Sequence, residues 1–409
     1  MISIVDKLHE LNQGHLLQFY NQLNSLEQEK LLDEISKIDF RFMKQLYDNS
    51  YFDEEIDISK IDSLKCLTKV NDIENEEYIQ SAEEIIKQNQ YAIVMLAGGS
   101  ASRLGLGMPK GCLKLNINEK YISLFELYIN QLKEIKKQYD INLNLYIMTS
   151  QNNYLEIKNF FAENRYFNYP KENIHFFKQD ELPILDTKGN ILLKEKNEIL
   201  FGPNGNGNVF NALKKSKLLD DLIKKNIKYV LFSTIDNVLA KLVDMKFIGA
   251  TINNNYKLAS KTITKESADE KDWIFCKYNN HPFMLPSAYI TEEITNCKNS
   301  KDEYIYREKN ITYHLISTDL LLEFSEMNLK YHRAYKKNNY IDENGNKIIA
   351  NSPNTFKFEQ FIFDAFYFAD DMLLYRINKD EFCPIKTQED IEYASHELAK
   401  RMIENETVS

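Results

Sequence analysis

Eight of the twelve glycines in this 409-residue chain fall in two short stretches: Gly98, Gly99, Gly105, Gly107 and Gly111, then Gly202, Gly205 and Gly207. Glycine makes up roughly 7% of an average protein, so a chain this sparing places it where the backbone must take a positive φ or approach something closely. The first stretch is entered from Tyr91-Ala92-Ile93-Val94-Met95-Leu96, an unbroken apolar run. Such a run reads as a strand buried on both faces of a parallel sheet. A buried parallel strand emptying into a glycine loop constrains the fold to an α/β plan, with ligands at the carboxyl ends of the strands.

The rest of the chain follows that plan. Leu143 to Met148 (ending in Thr149-Ser150), Ile174 to Phe177, and Tyr229 to Thr234 (ending in Ile235-Asp236-Asn237) read as further strands. Amphipathic helices are expected at Ser123–Ile135, Tyr154–Phe161 and Val209–Lys225. Leu8, Leu11, Leu16, Leu17, Tyr20, Leu23 and Leu26, then Leu31, Leu32, Ile35 and Ile38, recur at helical intervals, so residues 1–88 are expected to be a helical region. Past residue 250, strands are expected at Leu258–Thr264 and Trp273–Lys277, and helices at Tyr313–Phe324, Phe356–Ala369 and Gln388–Ser409. The expected fold class is α/β: a doubly wound, Rossmann-like mixed sheet with an N-terminal helical region and a short C-terminal helical tail. The expected divisions are 1–88, 89–384 and 385–409.

Charge and composition narrow the function. With 51 Lys+Arg against 61 Asp+Glu the net charge is −10. No basic excess exists to neutralise a nucleic-acid backbone, so nucleic acid is not expected as the partner, although a small-anion pocket stays open. No run of about 18 apolar residues occurs, so no membrane span is expected. The start, Met1-Ile2-Ser3-Ile4-Val5-Asp6, lacks the apolar stretch of a secretory leader, and a cytoplasmic location is expected. Cys66, Cys112, Cys276, Cys297 and Cys383 form no paired motif and read as reduced thiols. The seven histidines show no zinc-binding spacing, and there is no G-x-S-x-G nucleophile elbow.

Chemistry concentrates in Leu96-Ala97-Gly98-Gly99-Ser100-Ala101-Ser102-Arg103-Leu104-Gly105-Leu106-Gly107-Met108-Pro109-Lys110-Gly111. After a buried strand, small residues let successive N–H groups face phosphate oxygens. Arg103 and Lys110 then add one planar and one compact cation. No G-K-[ST] follows, so the loop is not a Walker A motif. The bland alternative is a glycine-rich surface turn carrying two solvated cations; two cations in one loop behind a buried strand favour phosphate binding.

Further motifs follow in order: Gly14-His15-Leu16-Leu17, Ile147-Met148-Thr149-Ser150, Phe177-Lys178-Gln179-Asp180-Glu181-Leu182-Pro183, Pro203-Asn204-Gly205-Asn206-Gly207, Asp236-Asn237-Val238-Leu239, Phe247-Ile248-Gly249, Lys357 to Asp364, and Asp380 to Lys386. Together with the loop they resemble the eukaryotic-type UDP-N-acetylglucosamine (UDP-N-acetylhexosamine) pyrophosphorylase family, of the UDP-sugar pyrophosphorylase superfamily. The resemblance covers nearly the whole chain.

The resemblance implies a GT-A-like nucleotidyltransferase core that joins UTP and N-acetylglucosamine 1-phosphate into UDP-N-acetylglucosamine and pyrophosphate. It implies Mg²⁺, or Mn²⁺ in its place, as the cofactor, and small-molecule partners only; monomer and dimer both stay open. Arg103, Lys110 and Lys386 are the implied catalytic cations. Leu96, Ala97, Gly98 and Gly99 would line the nucleotide, Gln179 would read uracil, and Asp236 would hold the metal. By residue type alone Asp236 fits a helix N-cap equally well. Gly205, Asn206 and Asn310 would touch the sugar, and the Phe361/Phe363 segment would wall the N-acyl group. By spacing alone the two phenylalanines read as core, and Asn206 reads as a turn residue.

The chain departs from the family pattern at a few places. Ala101-Ser102 stand for G-T before the arginine. Pro286-Ser287 stand where the family has a sugar-contacting Glu-Tyr pair, and Lys309 stands for the glycine before the sugar asparagine. The family's longer C-terminal part is not expected here, since the sequence runs only to Ser409. Glucose or galactose 1-phosphate as substrate, or a catalytically silent UDP-sugar-binding protein, are the alternative expectations.

Overall fold

The computed structural model of the chain describes residues 4–49, 56–68, 72–99, 104–265, 270, 272–300, 302 and 304–408. The described residues group into two compact units. The smaller contains Met1–Glu55, Asp180–Asn208 and Leu329–Phe361, and the larger contains Ile56–Gln179, Val209–Asn328 and Ile362–Ser409.

The larger unit is organised by an 11-stranded sheet among the described residues. Its main strands are β1 (Lys65–Leu67), β2 (Tyr91–Leu96), β3 (Asn144–Thr149), β4 (Ile174–Lys178), β5 (Tyr229–Thr234), β6 (Leu258–Thr264), β7 (Glu308–Ser317) and β8 (Leu373–Arg376), and they lie in the order β1-β8-β6-β7-β5-β2-β3-β4. Strands β5, β2, β3 and β4 are mutually parallel. Strand β7 runs antiparallel to both β5 and β6. All six residues of β2 are buried, as are all six of β3, which explains their apolar runs: a central strand of a sheet covered on both faces has no polar side. The chain proceeds outward from β2 through β3 to β4 and then returns to lay β5 on the other side of β2. The carboxyl ends of β2 and β5 therefore flank a topological switch point, where doubly wound sheets bind ligands.

Helix Leu124–Tyr139 follows from its sequence: Ser123 accepts from Glu126 N at 3.1 Å as N-cap, and Leu124, Tyr128 and Leu132 are buried on one stripe. Helix Met245–Asn253 packs against helix Asp72–Lys87 at Gly249, where an added Cβ would lie 1.8 Å from Tyr78 O. No side chain can stand there without parting the two helices.

Four expectations change. The run Val209–Lys225 is two helices, Val209–Lys215 and Leu218–Lys224, parted at Lys217 with φ of +60°. The run Tyr313–Phe324 is the end of strand β7 followed by helix Thr318–Glu326, capped by Ser317. A strand buried on both faces shows no period of two, so its apolar residues blend into those of the helix. Phe356–Ala369 is not a helix: Thr355–Glu359 pairs with His332–Lys336 in the smaller unit, while Ile362–Phe368 is a 3₁₀ segment of the larger one. Within 1–88 the helical pattern holds for Ile4–Glu10, Ser25–Ser36, Phe40–Asn49 and Asp72–Lys87. Ile61–Asp62 and Lys65–Leu67 are instead strands of the large sheet.

In the smaller unit, Leu8, Leu16, Leu31, Ile35, Phe40 and Met43 bury themselves with Leu185, Ile191, Leu193, Ile199 and Phe358. Among the described residues no helix is long and apolar enough to cross a membrane.

Candidate active site

Within the larger unit, the carboxyl ends of β2 and β5 bring a cation and an anion together. After β2, Ala97 N donates to Met148 O at 2.8 Å, and the loop closes where Lys110 N donates to Gly99 O at 3.3 Å. Lys110 opens a 3₁₀ turn, Lys110–Cys112. An added Cβ on Gly111 would lie 2.3 Å from the Phe125 ring, so the turn sits flush on helix Leu124–Tyr139. From that seat Lys110 Nζ donates to Asp236 Oδ2 at 3.1 Å and to Ile385 O at 2.7 Å. The Lys110 and Asp236 side chains keep 16% and 25% of their surface exposed, so an arriving anion can reach the first and a cation the second.

Asp236 is held through its main chain. Ile385 N donates to Asp236 O at 2.9 Å and Val238 N to Cys383 O at 3.2 Å. Asn237 Oδ1 accepts from Cys383 N at 2.9 Å. The Tyr128 hydroxyl donates to Asn237 O, Gln131 Nε2 to Ala240 O at 3.0 Å, and the Tyr91 hydroxyl to Leu242 O at 2.6 Å. Asp236 is not a helix N-cap: the next helix starts at Met245 and is capped by Asp244, which accepts from Phe247 N at 3.2 Å. Asn237 and Tyr128 escape sequence reasoning, because a buried amide and a buried phenol carry no distinguishing local pattern.

Beside this pair lies a second cluster. Gln179, at the end of β4, is buried and donates its main-chain N–H to Thr149 O at 2.9 Å. A Cβ on Gly98 would stand 2.6 Å from Gln179 Oε1, so the glycine leaves the space that this amide fills. Asn153, another residue the sequence did not single out, donates to Gly98 O at 3.3 Å and accepts from Ser150 N at 2.9 Å. Leu96 and Ala97 are buried, Gly98 is half-buried and Gly99 exposed, so the walls of the loop turn outward as it leaves the sheet. Arg103 lies outside the described residues. Lys386 follows Ile385 directly; it is exposed, and its main-chain N–H is fixed on Asp390 Oδ2 at 2.7 Å.

A third group stands on the same sheet edge. Ser233 of β5 pairs with Tyr313 of antiparallel β7, so the start of β7, Glu308 to Asn310, lies level with Asp236. Asn310 pairs with Thr262 and accepts from Thr312 N at 2.6 Å. Thr312 has φ of +53°, a strained value for a β-branched residue, and the register of β6 on β7 shifts between Ser260 and Thr262. Irregularities of this kind re-aim side chains beside sites. Lys309 Nζ pairs with Glu270 Oε2 at 2.5 Å and Asp272 Oδ2 at 2.6 Å. Burial alone would lower its pKa, but the hydrogen bonds it donates to Asp272 and Glu270 raise it. Phe363 packs against Trp273, ring centroids 5.0 Å apart.

In the smaller unit the second glycine stretch has a different cause from the first. Gly205 has φ of +93°, and a Cβ there would meet Gln360 O at 2.2 Å; one on Gly207 would meet Phe361 O at 2.6 Å. These glycines admit the chain's own backbone, with Gly207 N donating to Gln360 O at 2.9 Å. Asn206 is half-buried in the turn between them. Phe361 belongs to this unit, where its ring lies 5.0 Å from His332, whereas Phe363 belongs to the larger.

The remaining chemistry is restricted. Ser260 and His314 form a hydrogen-bonded pair, but both are fully buried in the sheet, and burial pushes the His314 pKa down to about 3. That pair is not a hydrolase dyad. Burial raises the Cys112 and Cys276 thiols to about 12 and Cys383 to about 11, far from nucleophilic thiolates. Among the described residues no three His, Cys, Asp or Glu side chains gather to cage a metal. Asp236 alone, beside the loop, fits an ion such as Mg²⁺ that keeps most of its waters and is bound chiefly by substrate phosphates.

The family model described as UTP–glucose-1-phosphate uridylyltransferase matches residues 38–407. The UDP-N-acetylglucosamine pyrophosphorylase of Saccharomyces cerevisiae is 31% identical over 378 residues, 87% of this chain and 79% of the yeast protein. The crystal structure of the Trypanosoma brucei uridine diphosphate N-acetylglucosamine pyrophosphorylase superposes with a TM-score of 0.77 at 26% identity, covering 95% of this chain and 83% of that one. A Leishmania major UDP-glucose pyrophosphorylase shares the fold at 18% identity, with a TM-score of 0.65 over 91% of this chain and 79% of its own.

Proposed function

The chain belongs to the UTP–glucose-1-phosphate uridylyltransferase family, and on that premise we propose that it converts UTP and N-acetylglucosamine 1-phosphate to UDP-N-acetylglucosamine and pyrophosphate. The observation that carries this reading is the Lys110 ammonium, held between Asp236 and Ile385 O at the switch point of the sheet.

An oxygen of the sugar phosphate attacks the α-phosphorus of UTP in line. The new O–P bond forms as the bond to the β-phosphate breaks, and pyrophosphate leaves with the electron pair. The attacking oxygen is already anionic, so no protein base and no covalent intermediate are required; positioning and charge stabilisation supply the catalysis. Lys110 offers its charge to the α-phosphoryl oxygens and the leaving group. Arg103 and Lys386 are proposed as further cations at the phosphates. The N–H groups of Gly98 and Gly99 cradle phosphate, and Gln179 offers one donor and one acceptor to the uracil edge. Asp236 would hold Mg²⁺, or Mn²⁺ in its place, which would supply charge neutralisation on the triphosphate. Asn310 and Phe363 are the proposed sugar-side contacts; Gly205 and Asn206 carry the same proposal from the resemblance alone. The five free cysteines suit a reducing cytoplasm.

A screen of sugar 1-phosphates with UTP and Mg²⁺, read by pyrophosphate release, tests the proposal. N-acetylglucosamine 1-phosphate is expected to react fastest. Faster turnover of glucose or galactose 1-phosphate favours the second reading, for which Lys309 and Pro286-Ser287 are the motivating observation. No pyrophosphate with any sugar phosphate means a silent binding protein.

A further inference from the structure

The chain has one tryptophan, and it stands where the sugar-side residues meet. Trp273 immediately precedes strand Ile274–Tyr278, which pairs antiparallel with His281–Leu285 on one side and with β7 on the other. Ile274 is opposite Leu285 in the first pairing and opposite Lys309 in the second. In antiparallel pairing, one residue back on the central strand is one residue forward on its neighbours. Trp273 is therefore level with Pro286 and with Asn310. The two places on the sugar side where this chain leaves the family pattern, Pro286-Ser287 and Lys309, thus lie within one or two register steps of a single residue.

Two further observations describe that side chain. Its ring centroid lies 5.0 Å from that of Phe363, with the planes 51° apart. Rings at that spacing are in contact, so nothing of methyl size fits between them, and the indole covers a face of Phe363 that an acyl group would otherwise meet. Trp273 is also only half-buried, so part of the indole remains open. The segment leading into it is tied to β7 by the ion pairs of Lys309 with Glu270 and Asp272, which sets the position of the indole beside Asn310.

We propose that Trp273 is the specificity-determining residue of the sugar site. Seated on Phe363 and beside Asn310, it presents the apolar wall against which the N-acyl methyl and the hexose ring pack. An indole offers a broad flat surface at little conformational cost, suited to the apolar face of a pyranose, whereas a Glu-Tyr pair would grip hydroxyls. This inference rests on the reading of the protein as a sugar-1-phosphate uridylyltransferase.

The test compares wild type, Trp273→Phe and Trp273→Ala at saturating UTP, with N-acetylglucosamine 1-phosphate and with glucose 1-phosphate. Trp273→Ala should lower kcat/KM for the N-acetyl sugar roughly tenfold, the usual scale of small-group discrimination by an apolar wall. The value for glucose 1-phosphate and the KM for UTP should change much less, and Trp273→Phe should retain most of the preference. Because the indole is unique in the chain, its fluorescence in the wild type is a second readout: UDP-N-acetylglucosamine should change the emission and UDP alone should not. Equal losses for both sugar phosphates, or an emission indifferent to the sugar, overturn the proposal. A wild type inert with every sugar phosphate overturns the functional reading instead, and the difference between UDP-N-acetylglucosamine and UDP in the emission then still decides whether Trp273 faces the sugar.

Discussion

The proposed nucleotide end and the proposed sugar end share one sheet edge but are held by different means. Around Lys110 and Asp236 the geometry is largely main-chain: Ile385 N on Asp236 O, Val238 N on Cys383 O and Lys110 N on Gly99 O, with two buried phenols bracing the carbonyls of Asn237 and Leu242. Around Asn310 it is largely side chain on side chain: Trp273 on Phe363, and Lys309 between Glu270 and Asp272. Backbone bonds hold whatever the side chains are, so the residues that do the chemistry stand out as a motif. Side-chain contacts change with every substitution, so the part that chooses the sugar is free to diverge. In this chain it has.

The strongest test of that contrast is Lys110→Ala. Losing a charge at a developing anion should reduce kcat by on the order of 10²-fold or more, equally for every sugar phosphate, in a protein that still folds. A loss confined to one sugar phosphate breaks the comparison, because Lys110 would then belong to the sugar end. Asp236→Asn keeps the shape and removes the anion. Turnover should fall roughly tenfold or more, with a higher Mg²⁺ concentration needed for half-maximal rate; an unchanged Mg²⁺ titration removes Asp236 as the ligand.

Gly98→Ala is subtler. The new methyl would displace only the far end of Gln179, 2.6 Å away, so thermal stability should barely move while the KM for UTP rises roughly tenfold, the order expected when one recognition amide is misplaced. A parallel rise in the KM for the sugar phosphate would mean that Gln179 does not separate the two ends. The smallest kinetic effect is expected from Phe363→Gly, which removes the ring beneath Trp273. It should widen tolerance to longer N-acyl chains by a few-fold and leave the KM for UTP nearly unchanged. Collapse of the melting transition instead would show that Phe363 is core.

The same division decides how much was legible beforehand. The apolar run of β2, the glycines behind it, Lys110 and the carboxylate closing β5 could be placed from spacing, because each is a local demand of a buried strand or a tight loop. The second glycine stretch was legible as a constraint but not for its cause: Gly205 and Gly207 yield to residues 360 and 361, about 150 positions away. Phe361 and Phe363, two residues apart, fall in different units, which no periodicity reveals. Trp273 is legible only as the first residue of a strand, because an aromatic heading an apolar run reads as core.

By itself the sequence determined the class of fold and the placing of the glycine loop, Lys110 and Asp236 at strand ends, since strand burial, loop closure and charge are carried by neighbouring residues. Only the tertiary structure decided that Asp236 meets Lys110 instead of capping a helix, and that Trp273 lies against Phe363 and level with Asn310. Those are meetings of segments tens to hundreds of residues apart, set by strand order and register in the sheet, and strand order is a property of the packed core and not of any stretch of chain.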